Sequence, residues 1–213
     1  APDAILDASM QVDLYDVHNP GGWEQGIGTL EMDDTLNPRS NRLRQEALQV
    51  MSHLENGGAL DSDFIQRRLR RINKASEELN QYVYEESKRW VEAGKKVGVV
   101  GGDHSVPLGL MRVMAERYPG VGVLHIDAHA DLRKAYEGFT YSHASIMYNA
   151  LQEAPGIGAL VQVGIRDFCD EELETARADK RVVQFPDHEL AAAGFAGETW
   201  QQVCNRIVET LPK

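Results

Sequence analysis

This sequence predicts an α/β fold built on a mostly parallel sheet, and three observations carry the prediction. From Lys95 onward, short apolar runs alternate with helical patterns, strand then helix, as far as Pro212. The runs are nearly continuous in Val, Ile and Leu, which marks strands buried on both faces. No internal repeat, low-complexity tract or linker interrupts them, so residues 1–213 read as one domain.

Taken in order, residues 1–37 hold turn formers with little periodicity (Asn19-Pro20-Gly21-Gly22, Gly26, Gly28, Asn37-Pro38) and read as an irregular segment. From Asn41 to Leu54 the pattern is helical, ending near Gly57-Gly58. Asp61 or Ser62 can cap the next helix, over 64–93. There Ile65, Leu69, Ile72, Ala75, Leu79, Tyr82 and Val83 recur mostly at spacings of three and four. Its Arg67–Arg71 cluster reads as a solvated face with i,i+4 partners, or as a subunit contact. Val97–Val100 is the first predicted strand, and Val106–Tyr118 the helix after it, with Pro107 suited to the first turn. Strand Val121–Ile126, helix Ser142–Gln152, strand Leu160–Ile165, helix Glu171–Ala178, strand Arg181–Phe185 and a helix over 199–211 complete the alternation.

The 213 residues carry a formal net charge of -11, which argues against nucleic acid or an anionic membrane as the main partner. The same field tolerates, and mildly attracts, a cationic substrate. Cys169 and Cys204 form neither a disulfide framework nor a thiolate metal site. No stretch approaches the roughly 18 apolar residues of a membrane span, and no signal-peptide pattern opens the chain. A reducing, cytoplasmic location is the expectation.

In parallel α/β sheets, ligands bind beyond the carboxyl ends of the strands. There this sequence places Gly101-Gly102-Asp103-His104-Ser105, after one predicted strand, and Asp127-Ala128-His129-Ala130-Asp131, after the next. Glycines let the backbone turn tightly and approach a ligand, and Asp103 can brace that loop or a ligating imidazole. In an extended segment residues i, i+2 and i+4 project to one side, so Asp127, His129 and Asp131 can converge with His104. Burying such groups without a metal or partners costs several kcal/mol. Imidazole mixed with carboxylate suits Mn, Fe, Ni or Zn, and bridging carboxylates make a two-metal hydrolytic site plausible. His143 has two readings, a proton shuttle or a structural neighbour of a helix cap. His125 is assigned to the opposite face of its strand, and His18, His53 and His188 have no companions.

Gly101–Ser105, Asp127–Asp131 and Ser142-His143-Ala144-Ser145 resemble the first three signature segments of the ureohydrolase (arginase/agmatinase) family, with running text around 131–151 most like agmatinases. The resemblance spans about residues 1 to 213. It implies an arginase/deacetylase-like three-layer α/β/α sandwich and assembly into trimers or hexamers. It also implies a pair of divalent ions, Mn foremost with Ni or Zn as alternatives. Its ligands would be His104, Asp127, His129 and Asp131, with Asp127 bridging, and His143 would match the family's proton-shuttling histidine. The implied chemistry is attack of metal-bridging hydroxide on a guanidinium carbon, releasing urea.

Two departures temper that expectation. The family completes its site with a later Asp-x-Asp segment and a Glu, neither found here, and Ala1-Pro2-Asp3-Ala4-Ile5-Leu6 resembles a segment that follows a first strand. The chain is therefore expected to be an incomplete domain with four of six ligands, and weakly active or inactive alone. Second, Arg133 stands where arginases carry an Asn. Facing the pocket, it would favour a carboxylate tail or a small guanidine; paired with Asp167, Asp170 or Glu137, it would not meet substrate. Asp167 and Asp170, on Gly164–Asp170, can line the same pocket and grip a substrate ammonium. Agmatine is the leading substrate, with guanidine, guanidinobutyrate or formiminoglutamate as alternatives. A non-catalytic binding or regulatory subunit is the rival.

Overall fold

The computed structural model describes residues 2–30 and 33–213. Ala1, within the opening segment of the resemblance, lies outside them. Helix α1 (Pro2–Ser9) and a 3-10 turn (Gly22–Gln25) occupy the segment predicted to be irregular. The correction has a local cause: Ala4, Ile5 and Leu6 favour helix, and Asp3 in the first turn complements the helix dipole. Little else holds it, for Ile5 is exposed.

Helix α2 (Leu36–Glu55) begins earlier than the periodicity indicates, and α3 (Asp63–Glu92) runs as expected. Val50 packs against Ile65 and Leu69 between them. The arginine cluster is partly engaged: Arg71 pairs with Glu46 at 2.5 Å, and Arg68 donates to Gln49 at 2.8 Å. Helix α4 (Leu108–Arg117) crosses α3 closely at Gly109, where a Cβ would lie 2.4 Å from the Tyr84 nitrogen.

Strands β1 (Val121–Ile126), β2 (Ile157–Ile165) and β3 (Val182–Pro186) form a parallel sheet in that order. Helix α5 (Ile146–Glu153), entered through a 3-10 turn (His143–Ser145), links β1 to β2, and α6 (Asp170–Ala178) links β2 to β3. Beyond β3 lie α7 (Asp187–Phe195), which the periodicity missed, and α8 (Trp200–Glu209). Its Ala-rich, weakly patterned sequence hides α7.

Val97–Val100 forms no strand. A strand exists through its neighbour's hydrogen bonds, and the free edge of β1 has no strand partner among the described residues. The predicted helix Val106–Tyr118 accordingly starts only at Leu108.

Three layers follow from side-chain alternation on the central strand. Leu160 joins Leu108, Ile146, Met147, Leu151 and Ala176 from α4, α5 and α6 on one face. Ala159, Val161 and Val163 meet Val203 and Ile207 of α8 on the other. Leu124 and Ile126 extend that second face along β1 and are exposed. Burying a Leu, Ile or Val side chain contributes about 1.5–3 kcal/mol each, so β2 anchors the sheet. Its carboxyl end is the site's foundation.

Candidate metal centre

The segment after β1 is stitched to the end of β2. Asp127 N–H donates to the Val163 carbonyl (3.1 Å), and Arg166 and Asp167 N–H donate to the Ala128 carbonyl (2.8 and 3.0 Å). Gly164, at φ +84°, supplies the turn this needs and breaks the β2–β3 register there.

The chain does not stay extended past Asp127. Asp131 adopts a left-handed φ of +53°, a conformation Asp tolerates better than most residues. The cost, on the order of 1–3 kcal/mol, is offset by its carbonyl, which accepts from Met147 and Tyr148 N–H at the start of α5 (3.0 and 3.2 Å). That twist separates residues expected to project together. Asp131 turns inward and is buried, while His129 points outward, its side chain 59% exposed.

His104 arrives on a loop braced as the sequence allows: Asp103 accepts from Ser105 N–H (2.9 Å) and Ser105 Oγ (2.5 Å). Its Nδ1 lies 2.6 Å from Asp131 Oδ2 and 3.3 Å from Asp127 Oδ2. The bond to Asp131 raises the His104 pKa, with both carboxylates adding to it against burial. Burial alone would push Asp127 up, but the His129 N–H and the His125 and His104 imidazoles outweigh it and hold its pKa down.

One ligand atom each from His104, His125, Asp127 and Asp131 lies within 4.8 Å of the others. His125, expected on the opposite face, belongs to this cluster: residues two apart on a strand share a face, so His125 sides with Asp127. Its Nε2 is 3.4 Å from Asp127 Oδ2 and is buried without a hydrogen-bond partner. Burial, first, and then the neighbouring His104 lower its pKa. His129 sits at the rim, 3.4 Å from Asp127 Oδ1 and 3.5 Å from Asp167 Oδ2. These nitrogen and oxygen donors, free of thiolate, fit a borderline or hard divalent ion, and the orphaned buried nitrogen beside them marks a polar centre rather than core.

The remaining candidates line the surroundings unequally. Arg133 is paired, but not with Asp167, Asp170 or Glu137: its Nε is 3.4 Å from Glu172 Oε2 and its guanidinium lies over the Tyr136 ring. Glu172 is buried and accepts from the Leu132 N–H (3.1 Å) and the Cys169 N–H (2.9 Å), tying the Asp131 loop to the start of α6. Sequence reasoning missed it; a Glu three residues into a helix was the available signal. Asp167 is exposed beside His129, Asp170 is exposed in the first turn of α6, and His143 is exposed with its ring 6.4 Å from that of Tyr136.

A family model described as "Arginase family" matches residues 1–211. The chain belongs to the arginase family. Relatives of this family chain include an N(1)-aminopropylagmatine ureohydrolase of Thermus thermophilus, 42% identical over 120 residues, 56% of this chain and 40% of that protein. An agmatinase of Bacillus anthracis is 36% identical over 87 residues, 41% of this chain and 30% of that protein. The matched stretch thus spans less than half of those curated relatives. An agmatine ureohydrolase structure from Thermoplasma volcanium aligns over 64% of this arginase-family chain and 43% of its own, at 25% identity and a TM-score of 0.50.

Proposed function

We propose that the protein to which these residues belong hydrolyses a C–N bond of a guanidino compound, agmatine or an agmatine with an extended amine tail, releasing urea. The observation that carries this reading is the convergence of the His104 imidazole with the Asp127 and Asp131 carboxylates at the end of β1. Bound divalent ions, Mn foremost, would supply an activated water nucleophile at neutral pH. His104, Asp127 and Asp131 would hold one ion, and His129, beside Asp127 and turned outward, would help hold a second.

The surrounding residues then have distinct tasks. His143, exposed near Tyr136, would carry a proton from solvent or the attacking water to the departing amine as the C–N bond breaks. Asp167 and Asp170 offer carboxylates to a substrate ammonium. Arg133 is tethered to Glu172, so its charge is partly answered and it need not select a carboxylate tail. The net charge of -11 favours a cationic substrate, and the names of the Thermus and Bacillus relatives point the same way. Among the described residues no helix is long and apolar enough to cross a membrane. A cytoplasmic homo-oligomer, trimer or hexamer, completes the proposal.

The deciding experiment assays the intact protein, loaded separately with Mn, Ni and Zn, against agmatine, N(1)-aminopropylagmatine, guanidine, guanidinobutyrate and formiminoglutamate. Urea from either of the first two supports the reading. Turnover of guanidinobutyrate alone would retire the agmatine label, and no turnover of any compound with any metal would leave a binding protein.

A further inference from the structure

One polar row crosses the apolar face of the sheet that packs on α5. His125, Gln162 and Gln184 are register partners on β1, β2 and β3. Gln162 is 0% exposed and His125 3%. Gln184 Nε2 donates to Gln162 Oε1 at 2.8 Å. Gln162 Nε2 donates to the Ala130 carbonyl at 2.7 Å and lies 2.9 Å from His125 Nδ1.

That geometry fixes hydrogens. The Ala130 carbonyl can only accept, so it determines which end of the Gln162 amide is the NH2. Flipping the amide would set its oxygen against that carbonyl and strand a buried acceptor, a cost of about 1–3 kcal/mol. One amide hydrogen therefore goes to Ala130 and the other to His125 Nδ1. Nδ1 must be the bare nitrogen, and in a neutral imidazole the proton then sits on Nε2. Nε2 is the buried atom left without a partner, 3.4 Å from Asp127 Oδ2.

We propose that His125 is a positioning residue for Asp127 and not a metal ligand. A ligating imidazole offers a lone pair; the Gln162–Gln184 row directs an N–H toward the site instead. Asp127 is thereby addressed at both oxygens: Oδ1 accepts from the His129 N–H at 3.0 Å, and Oδ2 faces the His125 N–H across 3.4 Å, an electrostatic contact longer than a hydrogen bond. Ligating carboxylates are commonly braced in this way. The inference rests on Asp127 being a metal ligand, as proposed above.

The test is long-range proton–nitrogen NMR of the chain labelled with 15N-histidine, with the His125 signal assigned by its loss in His125→Gln. The expected result is a bare Nδ1 and a protonated Nε2, both metal-free and after addition of Zn, a diamagnetic probe. A protonated Nδ1 in the metal-free chain, or loss of the Nε2 proton on Zn addition, overturns the proposal. If Zn does not bind, the metal reading fails separately, while the metal-free tautomer still decides this one. Zn affinity supplies a second readout. His125→Gln, which keeps an N–H near the Nε2 position, should lose less than about threefold, and His125→Leu about tenfold or more. Equal losses in the two would show a missing ligand.

Discussion

Glu172 makes a prediction that links folding to the candidate metal centre. In Glu172→Ala, the Leu132 and Cys169 N–H groups lose their acceptor. A charge-assisted bond to a buried donor contributes about 1.5–3 kcal/mol; the half-buried Cys169 N–H, at a helix start that water reaches, contributes about 1. Removing a buried carboxylate returns part of its desolvation cost. The expected net loss is about 2–3 kcal/mol, and about 1–2 for Glu172→Gln, whose amide can accept from one N–H but opposes the other. Urea unfolding measures both through the midpoint at constant m. Leu132 adjoins Asp131, so divalent-ion affinity should fall as well. The control is Ile207→Ala, on the opposite face of the sheet and of comparable cost at about 2–5 kcal/mol, which should leave ion affinity unchanged. A Glu172→Ala protein within about 0.5 kcal/mol of the parent, or one binding the ion as tightly as Ile207→Ala, would refute the reasoning.

Adding Mn should raise the unfolding temperature and chelator should reverse the shift, because an ion that binds only the folded chain at 100 times its Kd adds about 2.7 kcal/mol; a temperature indifferent to Mn, Ni and Zn argues against any metal centre. Asp131→Asn should cost at least about tenfold in affinity for the first ion bound, and His129→Ala less than about threefold, since Asp131 faces His104 while His129 points outward; calorimetric titration reads both, and the reverse order contradicts the assignment. Bonding to Arg181 holds the Asp179 pKa down, so its contribution is present above the ordinary value and is lost as pH falls through the lowered folded one. Unfolding free energies of the parent and Asp179→Asn should therefore differ near neutrality and converge as pH falls through the lowered folded value; a constant difference would show that the pair does not act through charge.

The alternation of apolar runs and helical spacing made β1, β2, β3 and the helices between them legible, because each is decided by which face is buried. Val97–Val100 shows the limit. Its apolar run matches that of a strand, but pairing is a property of two segments, and the sequence of one does not contain its neighbour. Helix α7 fails in the opposite way: it forms although its apolar residues mark no face.

The candidate centre is legible in the sequence as residue types but not as geometry. The expectation that Asp127, His129 and Asp131 share a side assumed an extended chain, and the left-handed φ at Asp131 breaks that assumption within four residues. Nothing local announces the twist, because what holds it is the Asp131 carbonyl bonded to α5, sixteen and seventeen residues on. His125 was legible by parity alone. Its role was not, since choosing between ligand and donor depends on Gln162 from the next strand and on a carbonyl from a loop. A sequence names the atoms able to hold a metal; which of them carry a lone pair is decided by partners that only the folded chain brings into place.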